Sequence, residues 1–148
     1  MIIFLRLLYL RYLVSTVLKQ ELGRCDLQEL YDFIFDRLRA IRQDLVIQQS
    51  RASDQLYILS VCVRFHLVFG QLLDQQSTFS SHINSQHQLD CLKSCLLLEE
   101  EHDNSIEEDD EKMSNMKSIY LLSNLDSPHS VSWAIGHNNK DRDLGEKY

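Results

Sequence analysis

The amino-acid sequence predicts an all-α protein, a stack of about six antiparallel helices of the α-solenoid or helical-repeat type. The 148 residues include only four glycines and one proline, the residue types that most often interrupt helices. Apolar residues recur at spacings of three and four over long stretches, which is the period of an amphipathic helix. The length and the hydrophobic content of 44% suit a single domain with its own core.

The first predicted helix covers residues 3–22, and Gly23 provides its C-terminal stop. Its apolar stripe consists of Leu7, Leu10 or Arg11, Val14, Val17 and Leu18. The apolar run 1–10 resembles a signal peptide, but Arg6 and Arg11 interrupt it well short of membrane-spanning length. No small-residue cleavage site follows the run. We therefore interpret this segment as a packed amphipathic helix.

The second predicted helix is the element around which the others are organised. Asp26 is its N-cap, Glu29 completes a capping box, and the helix runs to about Gln49. Its apolar stripe consists of Leu27, Tyr31, Ile34, Leu38, Ile41 and Leu45, and the opposite side carries Asp32, Asp36, Arg39 and Gln43. Phe33 and Phe35 lie outside the stripe, so we expect this helix to bury more than one face.

The third predicted helix covers about Asp54–Gln75, with Ser53 as its cap. Its stripe consists of Ile58, Val61, Phe65, Val68 and Leu72, and further apolar residues fill much of the remaining surface. A helix that is apolar nearly all round is expected to be buried by neighbours on several sides. Gly70 costs about 1 kcal/mol of helix propensity relative to alanine, and a close helix crossing would explain it.

Residues 76–84 are predicted to connect two helices, with Phe79 and Ile83 holding the connection to the core. Ser85–Gln88 is interpreted as a capping box that opens a fourth helix, ending near Glu100. The stripe of that helix consists of Leu89, Leu92 and Leu96. Residues 99–111 hold nine acidic side chains and no basic one, so we expect a solvated loop.

A fifth helix is predicted over Glu111–Asn124, and Ser127–Pro128 is interpreted as the start of a last helix that ends at Gly136. The inner residues of the fifth helix are Met116, Ile119, Tyr120 and either Leu122 or Ser123, and those of the last helix are Val131, Ala134 and Ile135. Residues 137–148 form a polar tail.

The net charge of −7 is a local property of the acidic segment 99–111. The rest of the chain carries 15 basic and 13 acidic side chains, which is close to neutral. A uniformly basic footprint for nucleic acid is therefore absent, and we expect nucleic-acid binding to be weak at most.

The four cysteines are Cys25, Cys62, Cys91 and Cys95. They are scattered over predicted helices and helix ends, which favours reduced thiols in an intracellular protein. His87, Cys91 and Cys95 are spaced by four residues, which is acceptable geometry for zinc, with His82 as a conceivable fourth ligand. Because cysteine is among the most often buried residues and no C-x-x-C pair occurs, we prefer packing and expect no metal and no cofactor.

No catalytic motif is present: the chain has no G-x-S-x-G, P-loop, G-x-G-x-x-G or H-E-x-x-H. His66 lies in an apolar helix beside Arg64 and Phe65, which favours a satisfied core histidine over a general base. We therefore expect a protein that is not an enzyme, with no catalytic residues and no small-molecule substrate.

Three arginines, Arg37, Arg39 and Arg42, lie within six residues of the second helix. The guanidinium fork pairs bidentately with phosphate and carboxylate, so these side chains are candidate contacts for a partner or a phosphate. They point in different directions around the helix and do not form a single patch. The preferred interpretation is that they hold neighbouring helices together through hydrogen bonds to carbonyls and acids.

Three segments resemble a known family. The run 31–49, YDFIFDRLRAIRQDLVIQQ, resembles the signature helix of the Sac-three/GANP family and is most similar to its short animal members, the Sac-three-domain-containing proteins. RFH at 64–66 followed by FSSHINSQHQLDCL resembles the next helix and the Phe-Asp-x-x-Ile-Asn connection. IYLLSNLDSPHSVSWAI resembles the LL-x-NL helix pair. The resemblance implies a helical domain over 1–136, which contains the acidic loop, followed by the tail 137–148.

This resemblance implies a curved stack of helical hairpins followed by a PCI-type winged helix, which we expect to be missing or incomplete here. It implies a non-enzymatic scaffold, acting either in centrosome duplication and spindle assembly or in mRNA export from the nucleus with a TREX-type complex. The implied partners are other protein subunits, with no membrane, and the implied location is the nucleus, the centrosome or the cytoplasm. The alternative is an RNA-binding accessory module of an mRNA-processing or export complex, which salt-dependent RNA binding would support.

Overall fold

The computed structural model describes residues 2–48, 50–101 and 110–126, together with Pro128 and Ser132. These residues are helical apart from short connections, and no strand occurs among them, so the all-α prediction is confirmed. The elements are α1 (Ile2–Tyr12), a π-helical turn (Leu13–Val17), α2 (Leu18–Glu21), α3 (Leu27–Gln48), α4 (Ala52–Leu73), α5 (Ser81–Glu101) and α6 (Asp110–Ser123). Successive long helices pack on one another as a stack, and α4 makes its most extensive contact with α5.

The first helix is continuous from α1 through the π-helical turn to α2, because Tyr12 and Leu18 at the junctions keep helical backbone angles. The wider turn rotates the following residues, so Leu13 is buried and Val14, which was predicted inside, is exposed. The first helix then ends, and Gly23, with φ +88°, provides the predicted C-terminal stop.

Helix α3 begins and packs as predicted. The Asp26 carboxylate accepts hydrogen bonds from the backbone N–H groups of Gln28 at 2.8 Å and Glu29 at 3.2 Å, so the N-cap is confirmed. All members of the predicted stripe are buried except Leu27, which is half-buried. The aromatic residues outside the stripe differ: Phe35 is half-buried, whereas Phe33 is exposed.

Helix α4 begins at Ala52, and no side chain caps it, so the prediction that Ser53 is the cap is wrong. Its predicted stripe is also wrong at the C-terminal end, where Val68 is 54% exposed and Leu72 is 50% exposed. The cause is that α5 covers the opposite side of a helix that is apolar nearly all round. The buried residues of α4 are Leu56, Ile58, Leu59, Ser60, Cys62, Val63, Phe65, His66, Phe69 and Leu73.

By length and composition alone, α4 is the one described helix that could cross a membrane. Just over half of its most apolar window is buried against the other helices, which is the behaviour of a core helix.

Helix α5 begins at Ser81, so the connection predicted over 76–84 is too long and the capping box at Ser85–Gln88 is wrong. The first turn forms because the N–H of Asn84 donates to the carbonyl of Ser80 at 3.1 Å. Phe79 is buried, as predicted.

Two further inner positions were wrong. Ile83 is exposed because the early start of α5 turns it outward. On α6 both Leu122 and Ser123 are exposed, whereas Met116 is buried as predicted and Met113, which was not predicted, is buried with it.

The predicted acidic loop 99–111 is shorter than expected, because α5 extends to Glu101 and α6 begins at Asp110. Its middle, 102–109, lies outside the described residues. The predicted last helix 127–136, apart from Pro128 and Ser132, and the tail 137–148 also lie outside them.

The close helix crossing that Gly70 suggested is confirmed. A Cβ atom at Gly70 would lie 2.9 Å from Nδ2 of Asn84 on α5. Gly70→Ala is therefore expected to lower the free energy of unfolding by about 1–2 kcal/mol in chemical denaturation, although alanine is the better helix former. In an Asn84→Ala background the obstructing amide is gone, and the same change should become neutral or stabilising. An equal loss in both backgrounds would contradict this crossing as the cause.

Candidate functional site

One buried polar junction joins three helices through Tyr31 of α3, His66 of α4 and Asn84 of α5. Nδ2 of Asn84 donates to the carbonyl oxygen of His66 at 2.9 Å, and a carbonyl can only accept, which fixes the orientation of the amide. Oδ1 of Asn84 therefore accepts, from the Tyr31 hydroxyl at 3.1 Å and from Nδ1 of His66 at 2.8 Å. The neutral His66 ring consequently carries its proton on Nδ1.

Aromatic rings enclose this polar junction. The Tyr31 ring lies 5.5 Å from that of Phe65, centroid to centroid and nearly parallel, and meets Phe79 edge-on at 5.2 Å. Burial raises the pKa of Tyr31 to about 12 and lowers the pKa of His66 to about 4. Both groups are neutral near pH 7, so the junction is suited to fixing the helices and not to proton transfer.

A second cluster, the thiol cluster, lies between α3, α4 and α5 and consists of Arg42, His87, Cys62, Cys91 and Cys95. Nη1 of Arg42 donates to Sγ of Cys91 at 2.6 Å, and Nη2 donates to Nδ1 of His87 at 3.2 Å. A guanidinium can only donate, so Nδ1 of His87 is unprotonated. Burial and the nearby Arg42 charge both lower the pKa of His87, in agreement with a neutral ring.

The thiols of the thiol cluster differ in acidity. The hydrogen bond from the Cys62 thiol, together with the Arg42 charge, lowers the pKa of Cys91 to about 7 against the opposing effect of burial. The same hydrogen bond and burial raise the pKa of Cys62, and burial raises that of Cys95 to about 12. Among the described residues, no group of three His, Cys, Asp or Glu side chains is placed to hold a metal ion.

The three arginines singled out by the sequence do not form one site. Arg37 is exposed and lies over the Phe33 ring, 5.4 Å from its centroid, and Arg39 is exposed on the same helix. Only Arg42 is seen to bond to another helix, and its acceptors are a thiol and an imidazole and not the expected carbonyls and acids. The sequence could not reveal this contact, because the donor lies on α3 and both acceptors lie on α5.

An open apolar groove, the α4 groove, lies between the first helix and α4, with α3 at its floor, and has a volume of about 350 Å³. Its lining residues are Leu13, Val14, Leu18, Ile34, Tyr57, Val61, Arg64, Phe65, Val68 and Phe69. Arg64 is the only charged residue among them, and it is exposed. The amino-acid sequence did not indicate the groove, because its helical period predicted Val14 and Val68 in the core.

The outward side of α1 adds further exposed apolar side chains to the same end of the stack. These are Phe4, Leu5, Leu8 and Tyr12. Arg6 on this helix forms an ion pair with Asp44 that ties α1 to α3. The first helix is thus fixed against α3 while much of its apolar surface faces outward.

Comparison with known proteins yields one family. A sequence profile of the SAC3/GANP family matches residues 7–139, which include nearly all of the helices described above. No solved structure matches the chain.

Proposed function

Since the chain belongs to the SAC3/GANP family, we propose that it is a non-enzymatic helical scaffold of protein complexes inside the cell. The complexes are those of centrosome duplication and spindle assembly or those of mRNA export from the nucleus. The corresponding locations are the centrosome, the nucleus and the cytoplasm. Its partners are other protein subunits.

The observation that carries this proposal is the α4 groove. A groove lined by aliphatic and aromatic side chains suits the apolar face of an amphipathic partner helix, which would remove Val14 and Val68 from water. Among the described residues no acidic side chain pairs with Arg64. We therefore assign the groove to a partner helix that carries an acidic residue opposite Arg64.

The internal polar groups support a scaffold and not a catalyst. The three buried polar residues of the described core are Ser60, His66 and Asn84. Each is hydrogen-bonded within the protein: Ser60 to the Tyr57 carbonyl, and His66 and Asn84 to one another. Side chains that are satisfied by the fold hold helices in register, as a scaffold requires.

Affinity purification of the tagged chain from dividing cells, followed by mass spectrometry, tests the proposal. Subunits of centrosomal or spindle complexes are expected under the first role, and nuclear-pore and export subunits under the second. The recovered subunits should survive nuclease treatment of the lysate. If recovery depends on RNA, or if the purified chain binds RNA with a strong salt dependence, the alternative of an RNA-binding accessory module replaces the scaffold.

A further inference from the structure

We propose that Cys91 is a nucleophilic thiolate that reacts with hydrogen peroxide, and that Cys62 is the resolving thiol that closes a disulfide between α5 and α4. This modification site is separate from the α4 groove and does not depend on the proposed scaffold function. It rests on the contacts of the thiol cluster and on a pocket that Cys91 lines.

The contact with Arg42 activates Cys91 specifically. The guanidinium donates directly to Sγ of Cys91, and a cation at hydrogen-bond distance stabilises the thiolate over the thiol. The pKa of Cys91 near 7 agrees with this geometry, whereas burial keeps Cys95 protonated. Cys25 is exposed, and its thiol donates to the carbonyl of Glu21. Of the four cysteines, Cys91 is therefore the expected nucleophile.

Cys91 is almost fully buried, so we expect the size of a reagent to decide whether it can react there. Cys91 is only 1% exposed, but it lines an open pocket of about 310 Å³ at the end of α3. The pocket also presents Arg42, Gln43, Gln55, Asp90 and Ser94, so its walls are partly polar and suit a small hydrogen-bonding molecule. Hydrogen peroxide is close to water in size, so we expect it to reach Cys91 through this pocket, whereas bulky disulfides and maleimides are expected to be excluded.

Cys62 is placed to resolve the first product. Cys62 of α4 and Cys91 of α5 are both buried in the core between these helices, and the two thiols interact, since each shifts the pKa of the other. The same two helices cross closely two turns away, where Gly70 meets Asn84. A disulfide requires short Cα separations, so we expect the closeness of this crossing to extend to Cys62 and Cys91.

The chemistry balances in two steps. The Cys91 thiolate attacks one peroxide oxygen, the O–O bond breaks, and hydroxide leaves and is protonated to water, which gives a sulfenic acid. The Cys62 thiol then attacks the Cys91 sulfur, the S–O bond breaks, and the departing hydroxide takes up the Cys62 proton as water. Two thiols are oxidised by two electrons in all, and one hydrogen peroxide is reduced to two molecules of water.

Peptide mapping of the oxidised chain tests the proposal without any variant. Tryptic peptides 52–64 and 65–93 contain only Cys62 and Cys91 respectively, and Cys95 falls in 94–112. After hydrogen peroxide treatment and alkylation, we expect peptides 52–64 and 65–93 to be joined by a bond that dithiothreitol reverses. Oxidation of Cys25 or Cys95 with Cys91 left fully alkylatable would overturn the proposal.

The rate of disulfide formation tests the role of Arg42. Arg42→Met removes the charge and is expected to slow disulfide formation at pH 7 about fivefold, because a pKa raised from about 7 by about one unit lowers the thiolate fraction from about one half to about one tenth. Arg39→Met removes an exposed charge from the same helix and should leave the rate unchanged. Cys62→Ser should stop the reaction at an oxygen adduct on peptide 65–93. Equal rates for Arg42→Met and Arg39→Met, in chains with wild-type circular dichroism, would contradict the assignment.

Discussion

Replacing Asn84 by alanine is expected to lower the free energy of unfolding by about 3–5 kcal/mol. The variant removes all three hydrogen bonds of the polar junction. It also leaves the Tyr31 hydroxyl and Nδ1 of His66 without partners in a buried site, whereas the His66 carbonyl keeps its helical hydrogen bond within α4. Each unpaired buried group costs about 1–3 kcal/mol. Urea denaturation followed by circular dichroism measures the change.

Asn115→Ala is the matched control, because Asn115 is an exposed asparagine on α6. Its effect should stay within about 0.5 kcal/mol. Tyr31→Phe breaks only one of the three hydrogen bonds, so its loss of unfolding free energy should lie between those of Asn84→Ala and Asn115→Ala. A loss of less than about 1 kcal/mol for Asn84→Ala would show that the junction does not fix the helices.

The stability of the fold is expected to rise by about 3 kcal/mol between pH 4 and pH 6.5 through His66 alone. Burial lowers the folded pKa of this histidine to about 4, below its ordinary value of 6.5. Between these values the unfolded chain binds a proton that the folded chain does not, so stability increases with pH across the window and is lost as the pH falls. His87, whose pKa is also lowered, contributes in the same direction.

Carboxylates titrate in part of this range, so the informative quantity is the difference between variants. His66→Gln should remove most of the slope, whereas His82→Gln, at an exposed position of α5, should retain it. Unfolding free energies at half-unit pH intervals measure both slopes. Identical slopes in the two variants would contradict a neutral, buried His66.

Local signals predicted the central helix well. The Asp26 cap and the stripe from Tyr31 to Leu45 depend on side chains within one helix, and both are present in the structure. Helix α4 is different, since apolar residues surround it and its period therefore indicates no single buried side. Which side is covered depends on α5, so Val68 was wrongly placed in the core.

The remaining errors also arise from contacts between helices. Asn84 is polar and was therefore predicted in a connection. It lies in α5 instead, because Tyr31 and His66 on other helices satisfy its side chain. No sequence pattern predicts the π-helical turn that exposes Val14. The sequence also could not specify the acceptors of Arg42, because the Cys91 thiol lies 49 positions further along the chain. The family motifs covered these regions without indicating which side chains meet.

Paired variants in the purification from dividing cells test whether the α4 groove holds a partner helix. Val68→Glu places a carboxylate in the groove four residues from Arg64, whose charge it would neutralise. Ile47→Glu makes the same kind of change at a more exposed position at the end of α3. We expect Ile47→Glu to recover the wild-type set of complex subunits and Val68→Glu to recover about tenfold less of at least one of them. Equal recovery of every subunit by both variants would contradict the groove as the docking surface.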